Sequence, residues 1–206
     1  MLVIDRSVCY VKRMAATSSP GPRERLLEAA DRLFYRDGIH TVGIDRILEE
    51  AGVAKASLYS AFGSKDALIG EYLSQRLARR QERVERAIAR HESPRERILA
   101  VFDVLIERAA EKDFRGCAFY RAAAEGEPNE QVNSVLDAAR LWLRMLFIGL
   151  AQATGAKDAD RLARQLVILY DGALVTAQMD ADTQAVKEAR AVAEILIDAS
   201  EKTTAR

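Results

Sequence analysis

The chain has 206 residues, 49% of them apolar, with 31 basic and 31 acidic side chains. That apolar share is enough to bury a sizeable core and excludes disorder of the whole chain, while a net charge of zero excludes a general polyanion binder, so any nucleic-acid surface must be a local patch. Cys9 and Cys117 form no C-x-x-C and His40 and His91 stand alone, so neither a disulfide framework nor a four-ligand zinc site assembles, and no metal or other cofactor is expected.

Met1 to Tyr10 has a few apolar residues broken by Asp5 and Arg6, which rules out a secretory core there, and no apolar run approaches the roughly 20 residues of a membrane span. A cytoplasmic protein is expected. Met14 offers a second start, and residues 1–21, ending in Ser18-Ser19-Pro20-Gly21, read as a disordered arm. From Pro22 onward nearly every segment has helical period and none sustains period-two alternation, so the fold class is all-α. The first helix opens with Pro22, carries Leu26, Ala30, Leu33 and Phe34 on one stripe, and stops at Gly38. The second buries Ile44, Ile47, Leu48 and Ala51; Gly52 makes the turn and Val53 plugs it. The third spans about 54–62 with Leu58 and Phe62 inward.

Ser64 suits the N-cap of a long fourth helix reaching about residue 90, whose six arginines and three glutamates between 67 and 90 read as a solvated face that adds positive field near the head. Ser93-Pro94-Arg95-Glu96 has the form of a capping box for the fifth helix, striped by Ile98, Val101, Phe102, Leu105 and Ala109. A short sixth helix, 117–125, ends at Gly126 and Pro128. The seventh, 129–154, holds Leu141-Trp142-Leu143, Met145 and Leu150, is apolar on nearly every side, and is expected to be wrapped by the others. Two more, 159–179 and 183–201, complete the chain.

Helix, Gly turn and second short helix between Ile44 and Lys65 make a helix-turn-helix, the second member of which reads the DNA major groove. Residues 20–66 hold one more acidic than basic side chain, yet Ala51 to Lys65 has no acidic residue and carries Lys55 and Lys65. The run from Gly52 to Leu68, with Tyr59, Phe62 and Lys65 at three-residue steps, closely resembles the N-terminal signature of the tetracycline-repressor (TetR) family of bacterial regulators. Arg115-Gly116-Cys117, Glu125 and Leu169-Tyr170-Asp171-Gly172-Ala173 look like one branch of that family. The resemblance implies a three-helix DNA-binding head, 22–68, joined by a long helix to a ligand-binding and dimerisation body, 69–206. It also implies repression of transcription, relieved by a small molecule.

On physical grounds the DNA contacts are Lys55 at the groove, Ala56 and Ser57 as small residues for close approach, Ser60 beside them, Tyr59 on a phosphate, and Lys65 neutralising another; Gly43 offers only its backbone N–H. Three features depart from the family pattern: Gly43 stands where a hydroxyl is frequent, Ala54 where a hydroxyl N-cap is usual, at about 1 kcal/mol, and Ser60 and Ala61 replace bulkier residues. A site read partly through DNA shape follows. In the body, Phe102, Phe119, Tyr120, Trp142, Met145 and Tyr170 are candidates either for a ligand pocket or for plain core, with Cys117, Arg121 and Gln178 as polar contacts. Cys117 reads as a structural cysteine before a redox sensor. The dimer interface that the resemblance implies would use the last two helices, through Leu162, Leu166, Leu169, Ala173, Ala177, Ala189, Val192, Ala193 and Leu196.

An enzyme would need a nucleophile with its base, a metal cluster or a phosphate loop, and no such constellation is present. A nucleoid-type or interaction protein without a ligand would draw its affinity from phosphate neutralisation, which the neutral charge disfavours. The reading is a homodimeric, ligand-responsive repressor whose partners are operator DNA and an unidentified effector.

Overall fold

The computed structural model describes residues 20–125 and 129–201; the expected N-terminal arm, apart from its last two residues, and the Gly126 and Pro128 stop lie outside them. The helices run α1 Pro22–Asp37, α2 Ile44–Ala51, α3 Lys55–Phe62, α4 Lys65–Ile88, α5 Pro94–Ala109, α6 Ala118–Ala124, α7 Glu130–Ala153, α8 Ala159–Asp180 and α9 Gln184–Glu201, with no strand among the described residues. No described helix is long and apolar enough to cross a membrane.

Two apolar cores share α4. The first gathers Leu26, Leu33 and Phe34 of α1 with Ile47, Leu58, Leu68, Tyr72 and Leu73, and takes in Ala122 of α6 and Val132 of α7. The second packs Val84 and α5 against α7, α8 and α9 around Phe102, Phe147, Leu166 and Tyr170. At 1.5 Å per residue the 24 residues of α4 span about 36 Å, enough to serve both. The Ser64 hydroxyl caps the helix by accepting from the Ala67 amide at 3.0 Å, as the sequence predicts.

Elsewhere the local signals are redistributed. Ser93 makes no side-chain cap bond to α5, and Glu96, its expected box partner, turns to His91 at 3.6 Å. The reciprocal Glu contact forms instead at α1, where Glu24 accepts from the Gly21 amide at 3.2 Å. Nor is α7 wrapped on all sides. Its inner stripe is Ala139, Leu143, Phe147 and Leu150, while Leu141 and Met145 are 60% and 56% exposed.

A candidate DNA-reading face and a cavity tied to it

Gly52 adopts the left-handed conformation (φ 62°) that terminates α2, and the Arg25 guanidinium donates to its carbonyl at 3.3 Å, so α1 holds the turn. The next amide, Val53, closes back on Leu48 at 3.2 Å, which leaves Ala54 as the start of α3. One side chain of α3, Leu58, is fully buried, and the partly buried Phe62 packs beside it under the Arg23 guanidinium, 5.1 Å from the ring centre. With that face turned inward, Lys55, Ala56, Tyr59 and Ser60 are exposed and Ser57 is half-buried. Tyr59 keeps 45% of its surface open, which excludes it from the core.

Gly43 and Ala54 cap α2 and α3 without any side-chain bond, so the first amides of both helices lack an internal partner. Lys65 sits lower than expected: it is half-buried, its Nζ lies 6.0 Å from the centre of the Phe34 ring, and burial pulls its pKa down while Asp66 and Glu125 act against that. Lys55 is the more open cation, with Asp45 3.9 Å away.

The described body contains a cavity of about 190 Å³ between α4, α5, α6 and α8. Cys117, Phe119 and Tyr170 line it, and Trp142 stands behind. Phe102 is fully buried against Phe147 and Tyr170, ring centres 6.0 and 6.1 Å away, and is core. Tyr120 and Met145 are exposed and line nothing here. Arg121 and Gln178 have structural partners: Arg121 donates to the Tyr35 carbonyl at 2.6 Å, and Gln178 fills the space over Gly116, where a Cβ would lie 1.7 Å from its Oε1.

Sequence reasoning missed the basic lining of the cavity. Arg76, Arg79, Arg80 and Arg83 of α4 face it together with Arg108 of α5, so the arginines of α4 are not merely a solvated face. The signal was present: Tyr72, Arg76, Arg80 and Val84 lie at steps of four between two fully buried residues, on one face of the helix. Arg76 forms a forked pair with Asp31 at 2.8 and 3.0 Å and stacks 3.6 Å from the centre of Tyr35, and Arg79 shares the same carboxylate at 2.8 Å. Arg83 reaches Glu111 at 2.9 Å, and Arg108 holds both Glu111 and Asp113.

The cavity wall touches the head through Tyr35, at the end of α1. Its hydroxyl donates to the Gly116 carbonyl at 3.0 Å and accepts from the Arg115 amide at 2.9 Å. Beyond α6, Glu125 accepts from the His40 amide at 3.1 Å and lies where Gly38 (φ 97°) has no side chain; a Cβ there would come within 2.7 Å of the carboxylate.

The dimer residues expected on α8 and α9 divide in two. Leu162, Leu166, Ala173, Ala177, Ala189 and Ala193 are buried in the protomer's own core, because α8 packs on α7 and α9 packs on α5 and α8. Leu169 and Leu196 are half-buried and Val192 is 41% exposed. Outward lie Ile168, Met179 and Ile195, which the sequence reading did not select.

A sequence profile described as bacterial regulatory proteins of the tetR family matches residues 26–72, the head and the start of α4. The HTH-type transcriptional regulator BetI of Brucella anthropi is 31% identical over 178 residues, covering 85% of this chain and 91% of its own length. BetI of Rhizobium meliloti is 27% identical over 87% of this chain and 89% of its own. The crystal structure of a TetR-family transcriptional regulator from Streptomyces coelicolor superposes with a TM-score of 0.83 at 33% identity, over 88% of this chain and 96% of that one. These relatives are regulators and not enzymes, and with the helix-turn-helix face above them the chain belongs to the TetR family of bacterial transcriptional regulators.

Proposed function

We propose that the protein is a homodimeric repressor released from its operator when a small molecule occupies the cavity beside α4. The observation that carries this reading is the tie at Tyr35: the 115–117 segment that walls the cavity also holds the last turn of α1, so a shift of that wall is felt by the head. Two heads about 34–36 Å apart meet successive major grooves, and a modest rotation of each about α4 takes them out of register. The division into a reading head, 22–68, and a binding and dimerising body, 69–206, belongs to this reading, although the head's core runs on through Tyr72 and Leu73 and borrows Ala122 and Val132. For the second copy, Ile168 and Met179 on α8 and Val192 and Ile195 on α9 offer an unpartnered apolar face.

In this reading Lys55, Tyr59, Lys65 and the open amides behind Gly43 and Ala54 clamp phosphates, while Ala56, Ser57 and Ser60 admit the backbone to the groove. Lys55→Ala and Tyr59→Phe are the cleaner tests, because both side chains are exposed and Lys65 is partly packed. Each is expected to weaken operator binding by about tenfold, with Lys55→Ala lowering the salt slope by about 1 and the melting temperature unchanged. Gel-shift titrations on promoter and random DNA at several salt concentrations measure this; unchanged affinity for both variants sinks the assignment, and equal affinity for the two DNAs points to a nonspecific binder.

Tyr35→Phe tests the tie. It leaves the Arg115 amide and the Gly116 carbonyl without their partner in a largely buried setting, at a cost of about 1–3 kcal/mol. The variant is expected to bind operator when free of effector yet to respond to effector less than the wild type does. A full response, measured by operator titration with and without effector, would remove Tyr35 from the transmission route.

A further inference from the structure

Arg80 is the one cation of the cavity wall for which no carboxylate partner is found among the described residues. Its four basic neighbours share Asp31, Glu111 and Asp113. Around Arg80 stand three rings, with centres 5.8 Å (Phe119), 5.3 Å (Trp142) and 5.0 Å (Tyr170) from its guanidinium carbon. Rings attract the charge but supply no lone pair for its N–H groups. The Tyr170 hydroxyl is its hydrogen-bonding neighbour, Cys117 and the Asp171 carboxylate favour the charge without pairing with it, and the Arg80 Nε has neither solvent nor a hydrogen-bond partner.

A charge held in this way is costly unless an anion completes it. The aromatic cage that would otherwise suit a cationic ligand is already filled by a resident guanidinium, and a second cation would meet it head-on. The lining as a whole carries five arginines against three carboxylates. The lining also has an apolar share, made of Val104, Leu105, Phe114, Ala118 and Leu174. At about 190 Å³ the cavity is somewhat larger than an engineered apolar cavity of about 150 Å³ that admits benzene.

We propose that this cavity takes a small carboxylate with a one-ring apolar body, its carboxylate completing Arg80 and its ring against the Val104 and Leu174 side. This rests on the ligand-responsive reading above and names the chemical class of the effector. A guanidinium fork matches a carboxylate in two parallel bonds, which neither a neutral amide nor an ammonium can reproduce.

Trp142 is the chain's single tryptophan and sits beside Arg80, so its fluorescence reports occupancy directly. The full-length protein is titrated at constant ionic strength with benzoate and phenylacetate, and in parallel with benzamide, benzyltrimethylammonium and inorganic phosphate, with thermal melting alongside. Saturable fluorescence change and a raised melting temperature are expected for the carboxylates alone. Arg80→Met is expected to bind them at least tenfold more weakly while itself melting about 2–4 °C higher without ligand, because a buried charge without a direct ion-pair partner has been removed. Arg80→Lys, which keeps the charge without the fork, is expected to fall between.

The proposal is overturned if benzamide or the ammonium binds as well as the acids, if neither acid gives a saturable change, if Arg80→Met binds them undiminished, or if that variant melts well below the wild type, which would make Arg80 a structural plug. The operator arm separates this from the reading beneath it, using a DNA fragment selected by the protein from a random pool. Carboxylate binding without any change in DNA affinity upholds the site and sinks ligand control; release by benzamide or the ammonium alone upholds ligand control and sinks the carboxylate.

Discussion

Leu58→Ala is expected to abolish operator binding and to lower stability by about 2–5 kcal/mol, the range for emptying a leucine site in a closed core. The effect is large because α3 has so little else to hold it. It is an eight-residue helix without a side-chain N-cap, too short to persist on its own propensity, and Leu58 is its one fully buried side chain. Phe62 is only partly covered and cannot fix the rotation of the helix about its axis by itself. With Leu58 truncated, the exposed positions Lys55, Ala56 and Tyr59 lose their common orientation before the rest of the molecule unfolds. Urea denaturation together with operator titration distinguishes this from Lys55→Ala, which is expected to change binding and leave the denaturation midpoint in place. A Leu58→Ala protein that binds operator within threefold of wild type would show that the face is held by other means.

Asp31→Ala is the second large effect, expected at about 2–3 kcal/mol and a fall in melting temperature of about 5–10 °C. One carboxylate, 19% exposed, serves two arginines of α4. Arg79 can turn to solvent when it is lost, but Arg76 is 16% exposed and stays pinned over the Tyr35 ring with no carboxylate in direct contact, Asp113 acting only from a distance. The cost is therefore that of a stranded partner and not of a surface ion pair, which would be worth little. Asp31→Asn, which keeps an acceptor for the fork, is expected to lose about half as much. Thermal melts of the two variants against the wild type decide this, and a loss under about 1 kcal/mol for Asp31→Ala would show that water replaces the pair freely.

The head was legible from the sequence because its determinants are local. Leu58 and Phe62 four apart set the inward face of α3, Gly52 required a left-handed turn, and the exposure of Tyr59 follows from those two facts. The body was less so, since an apolar side chain says that it will be covered and not by what. Leu162, Leu166 and Ala173 have a pattern that suits an interface yet are buried in the protomer's own core, while Leu141 and Met145, as apolar as any interior residue, lie outside. Charge was misread for a related reason. Arg76 and Arg80 lie on the buried stripe of α4, but an arginine turns inward only where Asp31 or a ring cage receives it, and those partners are distant in sequence.

The Tyr35 hydroxyl grips the main chain of residues 115 and 116, not their side chains. A latch of that kind registers where the wall stands and is blind to what the wall is made of. Gly116 must stay as it is, since its φ of 77° and the closeness of Gln178 admit no side chain. Of the lining, Asp31 and Arg76 are likewise held by their pairing, whereas apolar positions such as Val104 and Leu174 carry no such bond and, if the proposed control holds, can be changed toward a different ligand without disturbing the latch. Under the proposed control, chemical taste would sit mainly on the apolar side chains and mechanical response on the Tyr35 latch, which would make the cavity a place to re-aim a biosensor.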